Sequence, residues 1–490
     1  MKAQRMNKSI IFVIRTTIFF FSLVMATSCT GKDKTNPDPP SQSRKVKVWL
    51  TSGDKSNLLA LQNEVEFINS APVGLAVVKA DTSITYQTID GYGAALTGSS
   101  AWLINQKLTP VKQSELLKEL FHPSDGIGIS YLRLTMGASD FSLSDFTYND
   151  LPANQTDFEL NGFSLSQDMD DVIPVMQKIL GVYPGLKIVS SPWSPPAWMK
   201  TNNSLKGGKL KSACYPVYAD YFIRYIQAMK GYGINIDAVT IQNEPLHFSA
   251  NYPCMEMQPN EQLAFIRDHL GPKFSAAGIA TKLITYDHNW DRPDYPITIL
   301  NDPEAKKYIA GSAFHAYAGD VSAMGTVHNA HPDKDLYFTE ISGGAWATDF
   351  AGNLLWNMRN IFIGTARNWS KNALLWNLAL DENYGPQNNG CNNCRGVITI
   401  NSASGEITRN EEYYAIAHFS KFVRPGAVRI SANLPQSAGD AGLVAFQNTD
   451  GSKVMIAANY SSQPVRFVVE QGNKLFTVNL PATSVSTLVW

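Results

Sequence analysis

Eight short apolar runs, each separated from the next by a longer stretch of helical spacing, constrain this chain more than any other feature. They cover residues 90–97, 129–136, 186–193, 238–245, 282–288, 311–317, 335–340 and 373–378. A short apolar run followed by a helical crossover is the pattern of parallel strands. Eight of them predict an α/β fold closed into a (β/α)8 TIM barrel rather than an open sheet. The runs open apolar and close on polar or aromatic groups: Asn243-Glu244, Asp287-His288, His315, Glu340 and Trp376-Asn377. In a closed barrel the C-terminal strand ends form one rim, so these scattered residues are expected to converge in space.

The flanks read differently. Residues 46–88 and 419–490 are rich in Val, Ile, Thr and Phe, with turn signals such as Asn448-Thr-Asp-Gly-Ser452. They predict antiparallel strands, joined as a β-sandwich built from both chain ends around a barrel of residues 89–418. At the N-terminus, Lys2, Arg5, Lys8 and Arg15 lead into an apolar run at 16–26, which is too short to span a bilayer. Its end, Ala26-Thr-Ser-Cys29, resembles a bacterial lipoprotein signal. That resemblance implies cleavage of residues 1–29, lipidation of Cys29, and an exported protein at the outer membrane or cell surface, with the periplasm as the alternative. Residues 30–45 are polar and proline-containing and predict a disordered tether.

Apolar residues make up 44% of the 490 and charged residues 17%, enough to bury a large core. A net charge of −1 excludes nucleic acid as a partner, since phosphate binding needs a concentrated basic surface. In an exported chain Cys214, Cys254, Cys391 and Cys394 are disulfide candidates. Cys214 and Cys254 follow strands three and four on neighbouring parts of the rim and are expected to pair, with Cys391 and Cys394 forming a separate local bridge. A single C-x-x-C with no second pair at zinc spacing argues against a metal site.

Glu244 ends strand four and Glu340 ends strand seven, on facing sides of an eight-stranded barrel. One carboxylate at a strand end is commonly a loop anchor or helix cap. Two that face each other across a barrel mouth suit glycoside hydrolysis, in which one group attacks and the other protonates the leaving oxygen. Retention of configuration requires the carboxyl groups to lie about 5 to 5.5 Å apart. The pair is expected to split, with Glu244 protonated and Glu340 ionised.

From about residue 85 to the C-terminus the chain resembles glycoside hydrolase family 30. The resemblance rests on Asp90-Gly-Tyr-Gly-Ala-Ala-Leu-Thr97, Leu132-Arg-Leu-Thr-Met-Gly-Ala-Ser-Asp-Phe-Ser142, Ser190-Ser-Pro-Trp-Ser-Pro-Pro-Ala-Trp-Met-Lys200, Thr240-Ile-Gln-Asn-Glu-Pro245, Phe314-His-Ala-Tyr317 and Phe338-Thr-Glu340. It implies a retaining β-glycosidase with Glu340 as nucleophile and Glu244 as acid/base, needing no metal or organic cofactor. It further implies that Asp140, Trp193 and Trp376 hold the sugar before the cleaved bond. Asn243 would bind its 2-hydroxyl, Arg133 would support the nucleophile, and His315 and Tyr317 would stand beside the carboxylates. Within the family, the Cys391–Cys394 loop and the lipoprotein signal look most like the branch acting on β-1,6-glucan. Glucosylceramide, β-glucoside or β-xyloside hydrolysis is the alternative, and a non-catalytic carbohydrate-binding lipoprotein is the reading from another class.

Overall fold

The computed structural model of the protein describes residues 45–490. Cys29 and the segments read as signal and tether therefore lie outside the described residues, apart from Lys45. Eight parallel strands form one sheet in sequential order: Gly91–Leu96, Tyr131–Met136, Lys187–Pro192, Ala238–Thr240, Lys282–Asn289, Ile309–His315, Asp335–Glu340 and Asn372–Asn377, called strands one to eight below. Helices cross between consecutive strands, from Pro110–Phe121 after strand one to Glu411–Ser420 after strand eight. Thr109 caps the first crossover by accepting from the Lys112 amide, with Pro110 at the first helical position, where its missing N–H has no partner to lose.

Strands one to seven are joined by parallel ladders and strand eight is laddered to strand one. Closure between strands seven and eight is looser. The Lys371 amide donates to Leu336 and the Trp376 amide to Ile341, while the Asn372 side chain accepts from the Phe338 amide at 2.8 Å in place of a ladder bond. The barrel's lower interior is plugged by one side chain from each of strands two to eight: Tyr131, Val189, Ala238, Ile284, Ala313, Tyr337 and Leu374. Strand one contributes Gly93 at this level, where a Cβ would come within 2.0 Å of the Tyr131 carbonyl oxygen.

The sandwich is built from both ends of the described chain. Lys45–Ser52 pairs with the C-terminal strand Ser484–Val489. The long strand Ala76–Thr88 pairs antiparallel with Val428–Ala432 and parallel with Val465–Gln471, so it turns from one layer into the other. Val78, Ile430, Phe467, Phe476 and Leu488 fill the space between the layers. The opposite face, with Val444, Phe446, Val454 and Ile456, is continuous with the core around the barrel helices. Among the described residues no helix is long and apolar enough to cross a membrane.

His418 is the polar centre of that junction. Fully buried on the last barrel helix, it contacts Thr487 Oγ1 and Thr51 Oγ1, each at 2.8 Å, and so ties both ends of the sandwich to the barrel. Burial depresses its pKa to about 3. The folded state thus binds fewer protons than the unfolded state below about pH 6.5, and stability falls as pH drops from there toward 3. This group alone contributes a slope of up to about 1.4 kcal/mol per pH unit. Urea unfolding at pH 7, 6 and 5 should therefore show a flatter loss of stability for His418→Asn than for the wild type; equal slopes would sink the assignment.

Candidate active site

Two residues beyond the apolar plug, period-two alternation brings the next inward positions to the strand ends: Arg133, Ser191, Thr240, His315, Thr339 and Trp376. The inner surface changes there from apolar to polar. Strict alternation would leave Asp287 pointing outward, but the ladder between strands five and six passes from Tyr286 directly to His288 and leaves Asp287 unpaired. Tyr286 and Asp287 both take positive φ, 74° and 71°, an uncommon conformation for side-chain-bearing residues that turns the Asp287 carboxylate into the barrel. Thr339 and Trp376 are skipped in their ladders in the same way. Glu244 is also held at φ 42°, its amide donating to the Asp287 carbonyl.

Arg133 stands at the centre with no exposure. Its Nη1 donates to Glu340 Oε2, its Nη2 to Asn243 Oδ1 at 2.7 Å and to Asp287 Oδ2 at 2.8 Å, and its Nε to Ser191 Oγ at 3.2 Å. Trp193 and Trp376 stack with centroids 5.1 Å apart, and the guanidinium lies 4.9 and 5.3 Å from the two rings. Asp287 is saturated, accepting also from the hydroxyls of Ser191, Thr240 and Thr339. Burial opposes its charge, yet Arg133 and His315 hold its carboxyl well below the usual carboxylate range.

His315 spans the two halves of the site, with Nδ1 2.9 Å from Glu244 Oε1 and Nε2 3.1 Å from Asp287 Oδ1. An ionised Asp287 can only accept, so Nε2 carries a hydrogen. The contact between Nδ1 and Glu244 then holds one proton, on the imidazole or on the carboxyl. Burial disfavours the imidazolium, but Glu340, Asp287 and Glu244 around it outweigh that and raise His315 to about 9. Against its own burial, Glu244 is correspondingly drawn down to about 2 by His315. Both shifts run in the direction that draws the proton expected on Glu244 toward its histidine neighbour, because that imidazole is surrounded by carboxylates. Glu340 is raised by burial and by Glu244, while His315 and Arg133 oppose the rise. Tyr317 donates to its Oε1 at 3.0 Å. Side-chain atoms of Glu244, His315 and Glu340 all lie within 4.8 Å of one another.

Glu244, Glu340, Asn243, His315, Tyr317 and Arg133 are thus brought into one hydrogen-bonded cluster. Asp140 lies at its edge, its carboxyl raised by burial and by Glu340 and Glu244. Trp193 and Trp376 are each only 2% exposed and use most of their faces on one another, which leaves little ring surface for a ligand in this state. From the sequence Asp287 is only one polar strand end among several. The signal for it was a small polar layer, Ser191, Thr240 and Thr339, at inward positions where a barrel core would otherwise be apolar.

Cys391 and Cys394 form a disulfide. The expected Cys214–Cys254 bridge does not form: both thiols are free and buried. Cys214 packs in the apolar core, while Cys254 Sγ receives the amides of Gly207 and Ser249 and donates to the Ser249 carbonyl, so each sulfur is occupied in its own loop.

The family model of the glycosyl hydrolase family 30 TIM-barrel domain matches residues 89–423, and that of the family 30 beta sandwich domain matches residues 426–488. An endo-1,6-beta-D-glucanase of Neurospora crassa is 37% identical over 78% of this chain and 81% of its own length. The lysosomal acid glucosylceramidase of Mus musculus is 30% identical over 83% of this chain and 81% of its own. A solved endo-beta1,6-glucanase superposes with a TM-score of 0.85 at 36% identity, covering 91% of this chain and 99% of that one.

The hub can be tested through Asp287→Asn. Removing one of two carboxylates from a buried guanidinium should lower the unfolding free energy by about 3–5 kcal/mol. It should also reduce kcat by about a hundredfold or more. Because the shared proton leaves as pH rises through His315's pKa, the alkaline limb of kcat/KM should move to lower pH once one of the carboxylates raising that pKa is gone. An unmoved limb would show that Asp287 does not act on His315.

Proposed function

This chain belongs to glycosyl hydrolase family 30 and is a glycoside hydrolase; from that premise we propose that it cleaves internal β-1,6 bonds of a glucan with retention of configuration. One observation carries the stereochemistry. Oxygens of Glu244 and Glu340 come within 4.8 Å of each other, close to the roughly 5–5.5 Å of retaining enzymes and short of the roughly 6.5–9.5 Å that admits a water between the groups. The β-1,6-glucan assignment is supported by the similarity to the Neurospora crassa glucanase and to the solved endo-beta1,6-glucanase, which exceeds that to the mouse glucosylceramidase.

In this reading Glu340 attacks the anomeric carbon. The donors it already holds from Arg133 and Tyr317 keep one oxygen oriented and stabilise the carboxylate. As the glycosidic bond breaks, the leaving oxygen takes the proton held between Glu244 and His315, and the glycosyl-enzyme remains on Glu340. Glu244 then removes a proton from the incoming water as the water oxygen attacks the anomeric carbon and breaks its bond to Glu340; the sugar leaves, Glu340 is again a carboxylate, and the proton gained by the Glu244–His315 pair restores the resting state. Asn243, turned by Arg133, presents its amide to the 2-hydroxyl, and Asp140 accepts or donates at a more distant hydroxyl of the same sugar. The protein works outside the cytoplasm, anchored by lipid at Cys29; the basic residues, short apolar run and small residues before that cysteine support this.

Product analysis on pustulan, laminarin, xylan and glucosylceramide side by side should give release from pustulan first and foremost; preferential cleavage of glucosylceramide would favour the glycolipid reading. Glu340→Ala should lose turnover on every substrate, with azide restoring it and inverting the product. Glu244→Ala should give a burst with an activated aryl glucoside, and azide should speed turnover with retention. The opposite azide stereochemistry would reverse the two roles. For the anchor, cells fed a radiolabelled fatty acid should label the wild type and not Cys29→Ala; equal labelling would refute it.

A further inference from the structure

A cavity of 710 Å3 opens directly beside the catalytic carboxylates, within the usual size of small-ligand pockets, roughly 300–1,000 Å3. It begins at Tyr317, whose hydroxyl touches Glu340, and at Ile341 and Ser342, which follow Glu340 in the chain. From there it passes Trp346 and runs over the helix Phe350–Trp356, with Glu412 among its lining. This path leaves the carboxylates by way of strands six and seven, whereas Asp140 and Trp193 follow strands two and three.

All ten tryptophans lie among the described residues, and of these only Trp346 and Trp356 are exposed, at 56% and 44%; both line this cavity. An open indole face suits the apolar C–H face of a pyranose ring. Trp346 is also held in place. Gly343 and Gly344 pair with Arg395 and Cys394, the Ala345 amide donates to the Asn393 carbonyl, and the Cys391–Cys394 disulfide closes the partner loop. The Trp346 ring lies directly on Gly344, where an added Cβ would come within 2.0 Å of it. Glu412 is 3% exposed, and its Oε1 holds Arg395, the strand partner of Gly343, at 2.8 Å.

We infer that this cavity binds the glucose units on the leaving-group side of the cleaved bond, with Trp346 and Trp356 as stacking faces. The inference rests on the reading of Glu244 and Glu340 as a pair acting on a β-glucan. The disulfide loop then has a purpose beyond stiffness. It fastens Trp346 on one side, and on the other the Asn388 amide donates to the Asp140 carbonyl, so one loop spans both sides of the bond to be cut.

The test is kcat/KM for β-1,6-linked glucose oligomers of two to six units, measured with the wild type, Trp346→Ala and Trp356→Ala. The wild-type value should rise with length. Each tryptophan variant should flatten that rise, with a loss that grows along the series to roughly tenfold on the longest oligomers. Both indoles are exposed, so their removal takes nothing from the core. A loss equal at every length, or none, overturns the inference while leaving the glucanase reading intact. Wild-type protein inert on every oligomer but active on glucosylceramide would instead overturn the glucanase reading, and the inference with it.

Discussion

Arg133 carries its charge where no water reaches, and the mouth of the barrel is arranged around that constraint. A buried guanidinium is stable only if its donors are matched by acceptors and its charge by nearby carboxylates. Arg133 has Glu340 and Asp287 for charge and Asn243 and Ser191 for its remaining donors. The same contacts orient the Glu340 carboxylate and the Asn243 amide beside Glu244. Two stacked indoles flank the guanidinium and exclude solvent, so its field acts on the site with little screening.

The second consequence is proton placement. Asp287 is tied to Arg133 and three hydroxyls and stays ionised, so it fixes which nitrogen of His315 carries a hydrogen. The other nitrogen is then committed to Glu244. A histidine bridging Asp287 and Glu244 holds one proton on the Glu244 side of the site, and that proton offsets the charge of two glutamates this close to each other.

This geometry needs backbone that regular strands do not provide. The positive φ angles at Glu244, Tyr286 and Asp287 and the unpaired positions at Asp287, Thr339 and Trp376 all lie at the rim, above a plug that keeps strict alternation. Unfavourable local conformations persist because dense packing beneath and multiple hydrogen bonds above determine them. The sandwich adds rigidity from outside, bolted to the last barrel helix through His418 and a shared apolar core.

The eight strands, their order and the polar character of their ends could be read from the sequence, because burial on both faces imposes continuous apolar runs and the rim imposes polar closures. Glu244 and Glu340 stood out for the same reason: carboxylates at the ends of strands four and seven must face one another once the barrel closes. Asp287 is among those polar ends, but its contacts could not be read there. Its inward turn depends on an extra residue in strand five, and a two-residue alternation gives no sign of where a ladder will skip. The cysteines mark the other limit. Cys391 and Cys394 are close in the chain and local spacing sufficed, whereas Cys214 and Cys254 lie on adjacent loops yet bury their sulfurs in separate environments. Sequence determined which elements form and which ends meet, since both follow from periodicity and connectivity. Tertiary structure alone decided which side chains touch and where the shared proton rests, since these depend on ångström-scale register and on the summed charge of groups distant in the chain.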